Sequence, residues 1–137
     1  MKDILLVNPP LVQSIFEHAG DDLDIVNLVI EDNLISSMNV GLVSISSYLV
    51  SKGFTVDIID LYKDFGVEKL ENQLKVEKYR FIGVSCVTGY SYLSSIQCFK
   101  AAKKIQPTIT TIGGGAHLGP LGKTAISECP EIAIIAQ

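Results

Sequence analysis

Short apolar runs alternate along this chain with segments whose apolar residues recur every three or four positions. The runs favour buried β-strands, and the spacing between them favours amphipathic helices. Five strands are predicted: Asp3–Asn8, Phe54–Asp60, Arg80–Val87, Thr108–Gly113 and Glu131–Ala136. Strands that are apolar nearly throughout indicate a parallel sheet covered on both faces. The alternation therefore predicts a doubly wound α/β fold, flavodoxin-like or Rossmann-like, with strand order 2-1-3-4-5.

Helical periodicity becomes clear from residue 41 onward. Leu42, Ile45 and Leu49 give the first helix one apolar face, and Gly53 ends it. The apolar residues that define the second and third helices are Val67, Leu70 and Leu74, then Leu93, Ile96, Phe99, Ala102 and Ile105. A fourth helix is predicted over residues 118–128. Residues 11–39 allow either a helix or a loop and are long for a plain connection.

The composition is that of one compact domain over residues 1–137, because 47% of the residues are hydrophobic and 19% are charged. The net charge of -4 and a pI near 5.0 argue against a nucleic-acid partner. The chain shows neither a secretory signal nor an apolar run of membrane-spanning length. We therefore expect no membrane partner and a cytoplasmic location.

The three cysteines are Cys86, Cys98 and Cys129, and no C-x-x-C pair occurs. This spacing does not fit a zinc site or an iron–sulfur cluster. We expect reduced, mostly buried thiols. Cys86 lies at the carboxyl end of the third strand, so a nucleophilic role is an alternative that would require a neighbouring base.

A ligand of such a fold binds outside the carboxyl ends of the strands, at the switch point in strand order. The loops predicted there begin at Asn8, Ser85 and Gly113. No dinucleotide fingerprint or phosphate-binding loop has the required spacing. A phospho-receiver is also disfavoured, because Asn8 and Ser85 stand where acidic residues would be needed. Asp57 and Asp60 are expected to face solvent or to cap the following turn.

Four segments, in order, resemble one known family. They are "LLVNPP", "GLVSISSYLVSKGFTVDIIDLY", "IGVSCVT" and "TTIGGGAH". They resemble the N-terminal cobalamin-binding domain of cobalamin-dependent radical S-adenosylmethionine enzymes, over most of the chain except residues 11–39. The resemblance implies cobalamin as the cofactor, with a radical S-adenosylmethionine barrel following in a longer parent protein. It implies methyl transfer or related chemistry in that parent and no catalysis by this chain alone.

The resemblance also implies a role for each loop. Asn8, Pro9 and Pro10 would lie under the corrin ring, and Gly41 and Leu42 would meet its edge. Ser85 and Thr88 would hydrogen-bond the nucleotide tail or its dimethylbenzimidazole. The residues implied to line the channel for that tail are Gly113, Gly114 and Gly115, with His117 as a possible hydrogen-bond donor beside it. A large apolar ligand with one phosphate suits a slot of glycines and a few hydroxyls.

Two departures from related families matter. Mutases and methionine synthases carry a cobalt-ligating histidine in D-x-H-x-x-G after the first strand, where this chain has Asn8 to Gln13. The resemblance therefore implies base-off cobalamin without a protein histidine on cobalt, with His18 as an unorthodox alternative ligand. The three cysteines lack C-x-x-x-C-x-x-C spacing, so an iron–sulfur cluster and S-adenosylmethionine would belong to the missing barrel. A degenerate domain with a structural or interaction role is the other alternative.

Overall fold

The computed structural model describes residues 1–11 and 39–137. The strands of this part are β1 Lys2–Asn8, β2 Val56–Asp60, β3 Tyr79–Ser85, β4 Thr110–Gly114 and β5 Ile134–Ile135. The helices are α1 Val40–Ser51, α2 Glu68–Val76, α3 Tyr92–Ile105, α4 Leu118–Leu121 and α5 Lys123–Glu128. A single 3-10 turn, Gly89–Ser91, precedes α3. His18 and the interior of the ambiguous segment lie outside the described residues.

The strands form one parallel sheet in the order β2-β1-β3-β4-β5. In the register, Leu5 of β1 lies between Asp57 of β2 and Ile82 of β3. This arrangement confirms the predicted flavodoxin-like α/β fold. The strand order reverses between β1 and β3, so a crevice opens above the carboxyl ends of these two strands.

One face of the sheet carries the hydrophobic core. Side chains alternate between faces along a strand, so Leu5, Val7, Ile82 and Val84 all point to the same side. They pack in one buried cluster with residues of α2 and α3, namely Leu70, Leu74, Cys98, Phe99 and Ala102. The predicted apolar faces of these two helices are the ones buried here. Leu93 is an exception, because its side chain is half exposed.

Within residues 1–11 and 39–137, the opposite face of the sheet is covered less completely than the core face. Among the described helices, α1 packs against β1 and β2 on this side. Leu42 of α1 is buried, whereas Ile45, Tyr48 and Val50 are at least half exposed. No residue of α1 carries a charge, and its apolar residues lie on all sides. An apolar groove therefore remains between this helix and the sheet.

The last third of the chain departs from the prediction in two places. The fourth helix is two short helices, α4 and α5, because the backbone between them turns at Gly122 with φ of +48°. The fifth strand is shorter than the predicted six residues. The Thr111 hydroxyl accepts a hydrogen bond from the Ala133 amide at 2.9 Å and donates one to the Glu131 carbonyl. The Ala133 amide also donates to the Thr111 carbonyl at 3.2 Å, so side-chain and backbone bonds share the start of that segment.

Within residues 1–11 and 39–137, the longest helices are too short or too polar to span a bilayer.

Candidate functional site

Asn39 lies at the switch point, where it caps the amino end of α1. Its side-chain oxygen accepts a hydrogen bond from the Leu42 amide at 3.1 Å. Its side-chain nitrogen donates to Ser85 Oγ at 3.2 Å and to Asn8 Oδ1 at 3.4 Å. Asparagine is a preferred N-cap because its side chain satisfies an otherwise unpaired helix amide. One neutral side chain therefore joins α1 to the ends of β1 and β3.

The hydrogen-bonded chain continues toward β2. Asn8 is buried, and its side-chain nitrogen donates to Asp60 Oδ1 at 3.1 Å. The Tyr62 amide donates to the same oxygen at 3.0 Å. Asp60 thus caps the turn after β2, as predicted, while Asp57 does not simply face solvent. Asp57 accepts hydrogen bonds from Lys2 and Tyr79 at the other end of the sheet.

A cavity of about 260 Å³ opens above the switch point. Its lining residues are Asn8, Pro9, Leu11, Asn39, Tyr62, Ser85, Val87, Thr88 and Ser91. Four of the predicted site residues meet here: Asn8, Pro9, Ser85 and Thr88. The described residues of its lining offer amide and hydroxyl groups and no ionised side chain, so they suit a neutral, hydrogen-bonding ligand surface.

The groove beside α1 is a second cavity, of about 470 Å³. Its lining is Ile4, Leu6, Asn39, Gly41, Leu42, Ile45, Leu49, Gly83, Val84, Ser85, Val87, Ile112, Gly114, Gly115 and Ala136. Asn39, Ser85 and Val87 line both cavities, so the two are neighbouring parts of one site. This volume lies within the range of small-molecule and cofactor pockets.

Glycines shape the floor of this groove. A Cβ atom on Gly83 would lie 2.9 Å from Leu6 Cδ2, and one on Gly114 would lie 3.7 Å from Ala136 Cβ. Gly115 has φ of +101° and sits so close to Cys86 that a Cβ atom would be 2.5 Å from its carbonyl oxygen. Gly114 and Gly115 both line the groove.

Gly113 does not line the groove, contrary to the expectation from the sequence. A Cβ atom there would meet Leu118, Ile135 and Phe99 at 3.0–3.3 Å. The alternation of faces along β4 turns Gly113 toward the core layer and Gly114 toward the groove. The small size of Gly113 thus accommodates Phe99 and its neighbours.

His117 and Pro10 line neither of these two cavities. The His117 ring lies edge-on to Tyr92, with 5.4 Å between ring centroids, and the His117 amide donates to the Cys86 carbonyl at 3.0 Å. Pro10 is buried after β1. The structure therefore brings Asn8, Pro9, Ser85 and Thr88 together and leaves these two residues apart from them.

The three thiols are free and buried, as predicted. Burial raises the pKa of Cys86 above its ordinary value, although hydrogen bonding to Ser91 and Ser95 acts in the opposite direction. Cys86 Sγ also lies 3.4 Å from the Thr88 carbonyl. A protonated, buried thiol is a poor nucleophile, so this environment disfavours the alternative of catalysis through Cys86.

The described residues bring together no group of three or more His, Cys, Asp or Glu side chains that could hold a metal ion.

Two site residues escaped prediction, and each left a signal in the sequence. Asn39 stands two residues before Gly41, which is where an N-cap is expected for a helix that begins near residue 40. Gly83 interrupts an apolar strand, and a glycine there often marks close approach by a ligand or another chain segment. Neither signal by itself identifies a ligand.

Comparison with protein families matches residues 35–136 of the chain to the B12 binding domain. Comparison with curated proteins found no match.

Proposed function

The chain belongs to the B12-binding domain family, and from that premise we propose that it is the cobalamin-binding module of a corrinoid enzyme. The observation that carries the proposal is the position of the groove. It begins at the switch point beside Asn39 and Ser85 and continues between α1 and the sheet. The hydroxyls and amides at the switch point match the ring of a cobamide, and the apolar walls of the groove match its nucleotide tail.

The residues present fit such a ligand. A cobamide combines a broad ring bearing amide side chains with a narrow nucleotide tail that carries one phosphate. The cavity above the switch point, hereafter the upper cavity, presents neutral amides and hydroxyls, and the groove presents aliphatic side chains and glycines. A Cβ atom on Gly114 would project into space bounded by Ala136 rather than into the core, so the floor is open at this point.

Each residue then takes a specific role. Asn8 and Pro9 lie beneath the ring, and Gly41 and Leu42 border its edge from the start of α1. Gly83, Gly114 and Gly115 leave room for the tail. Ser85 and Thr88 supply hydrogen-bonding groups at the junction of ring and tail, and Asn39 orients the Ser85 hydroxyl through the 3.2 Å contact.

We propose base-off binding without a protein histidine on cobalt. No histidine of the described residues lines either cavity, and His117 is turned toward Tyr92. Bound cobalamin would supply group-transfer or radical chemistry at its cobalt. The residues of this chain hold the tail, orient the ring and exclude water from the groove.

The proposed parent activity rests on the resemblance of four sequence segments to cobalamin-dependent radical S-adenosylmethionine enzymes. In such a protein a barrel domain would bind the iron–sulfur cluster and S-adenosylmethionine and would act as the partner of this module. Methyl transfer or related chemistry would take place there, at the ring face turned away from the switch point.

Incubation with hydroxocobalamin, followed by desalting and a visible spectrum, tests the cofactor proposal. We expect retained corrinoid with bands shifted toward the base-off form. A histidine-ligated spectrum would contradict the proposed ligation while preserving cobalamin binding. A folded, colourless protein would overturn the proposal in favour of a domain with a structural or interaction role. Circular dichroism on the same sample establishes that the protein is folded.

A further inference from the structure

The groove beside α1 is uniformly apolar below its mouth. Asn39 and Ser85 are the polar side chains that line it, and they hydrogen-bond to each other at the carboxyl end of the sheet. The remaining lining side chains are aliphatic, or the residue is glycine or alanine. Among residues 1–11 and 39–137, the groove therefore has no hydrogen-bonding side chain below the level of Ser85.

This apolar part is deep enough to contain an aromatic base. It reaches from the level of Asn39 down to Ile4 on β1 and Leu49 on the last turns of α1. Four residue steps separate Ile4 from Asn8, which corresponds to about 13 Å along a strand. A base attached to a nucleotide tail that enters at Ser85 would lie among Leu6, Ile45 and Ile112.

The backbone of the floor strands is largely occupied by the sheet itself. β1 and β3 have a hydrogen-bonded neighbour on both sides, and β4 pairs with β3 along its length and with β5 at Ile112 and Gly113. A polar atom buried without a partner loses its hydrogen bonds to water, whereas a methyl group gains aliphatic contacts.

We propose that this groove selects among cobamides by the polarity of their lower base. This inference rests on the proposed function. The groove favours a dimethylbenzimidazole base, which presents two methyl groups, over a purine such as adenine. Adenine carries an exocyclic amine and additional ring nitrogens that the groove leaves without partners. One unpaired polar group of this kind corresponds to about a tenfold or larger difference in affinity.

The test compares dissociation constants for cobalamin, its adenine analogue and cobinamide, which lacks the nucleotide. The decisive quantity is the ratio of the cobalamin and adenine-analogue affinities in wild type and in two variants. Ile45→Asn and Ile112→Thr introduce hydrogen-bonding groups on opposite walls of the groove. The cost of detaching each base from cobalt in free solution is the same for every variant and cancels from this comparison.

Val50→Asn is the matched control. Val50 lies on the same helix as Ile45 and is similarly exposed, at 55% against 50%, but it does not line the groove. We expect wild type to favour cobalamin, and at least one groove variant to lower the ratio several-fold. Val50→Asn should leave the ratio unchanged, and cobinamide should bind wild type and all three variants alike.

An unchanged ratio in both groove variants would overturn base selection while leaving cobalamin binding intact. If wild type binds none of the three corrinoids, the proposed function is overturned and this inference with it. The two failures are therefore distinguishable within one set of titrations.

Discussion

Asn39 links three structural elements through one side chain. Its oxygen caps α1, and its nitrogen contacts the last residues of β1 and β3. Aspartate could supply the capping oxygen but not the donor that reaches Ser85. The periodicity of α1 predicted the helix but not this role, because the contacts join residues 31 and 46 positions apart.

Gly114 provides a direct test of where the tail lies. Gly114→Val places a branched side chain in the groove, where a Cβ atom first meets Ala136 at an ordinary 3.7 Å. The strand should tolerate valine, which favours β-structure. Overpacking against a bound tail costs about 1–3 kcal/mol, or roughly tenfold or more in affinity. Titration with cobalamin, monitored by visible absorbance, measures the effect.

Thr110→Val is the control for this substitution. Thr110 lies at the amino end of β4 on the same face as Gly114 and does not line the groove. We expect Thr110→Val to bind cobalamin like wild type and to have a melting temperature similar to that of wild type. Undiminished affinity in Gly114→Val would show that the tail lies elsewhere.

At the scale of whole elements, local patterns identified strands and helices better than they identified their ends. The apolar run Glu131–Ala136 predicted a strand of six residues, but pairing is limited to Ile134–Ile135. The Thr111 side chain, distant in sequence, bonds the Glu131 carbonyl and shares the Ala133 amide with the Thr111 backbone carbonyl. Likewise, the spacing over residues 118–128 predicted one helix, because apolar periodicity does not reveal the change of backbone direction at Gly122.

The amino ends of three strands are joined by a polar network that the sequence did not reveal. Asp57 of β2 accepts hydrogen bonds from Lys2 of β1 at 2.8 Å and from the Tyr79 hydroxyl of β3 at 2.5 Å. Gln73 of α2 donates to the same hydroxyl at 2.6 Å. Burial and the bond to Asp57 raise the pKa of Tyr79 to about 12. The network lies at the opposite end of the sheet from the candidate site and serves strand pairing.

This network predicts a specific loss of stability in acid. Burial opposes ionisation of Asp57, but hydrogen bonds from Lys2 and Tyr79 outweigh it and lower the pKa of this carboxyl below 3.8. Its contribution is therefore complete above pH 3.8 and is lost as the pH falls through the lower folded-state value. Asp57→Asn should reduce the difference between the free energies of unfolding at pH 7 and pH 3, measured in urea.

Glu68→Gln, at an exposed position in the first turn of α2, should change this difference less than Asp57→Asn does. A remaining acid dependence is expected in Asp57→Asn, because hydrogen bonds from Thr55 also lower the pKa of Asp3. An Asp57→Asn protein with the same pH dependence as wild type would contradict the role assigned to this network.

At the scale of the whole molecule, the sequence predicted strand order and sheet direction because both follow from general rules. Apolar strands joined by helices of sufficient length form parallel pairs with right-handed crossovers, and the switch point follows from the order. The asymmetry of the two sheet faces could not be predicted in this way. It depends on how α1 lies across β1 and β2. It also depends on which face of the sheet is occupied by glycines such as Gly83 and Gly114, and the strand register sets that face.

The same packing predicts the reactivity of the thiols. Cys86, Cys98 and Cys129 are at most 1% exposed. Burial is the largest cause of their raised pKa values, which reach about 12 for Cys98 and about 11 for Cys129. Reagents such as dithionitrobenzoate react with the thiolate, so labelling must await an opening of the fold. We expect labelling at pH 7 to be on the order of a hundredfold or more slower in the folded protein than in urea.

Denaturation should release all three thiols to the reagent, and Cys86→Ser and Cys98→Ser identify the contribution of each position. Slow labelling of wild type and both variants would agree with thiols that serve packing alone. Rapid reaction of one equivalent in wild type and Cys98→Ser, absent from Cys86→Ser, would instead reveal an accessible thiolate at the carboxyl end of β3. Because Cys86 adjoins Thr88 and Ser91 of the upper cavity, that result would restore the nucleophile alternative and contradict a site built for cofactor binding alone.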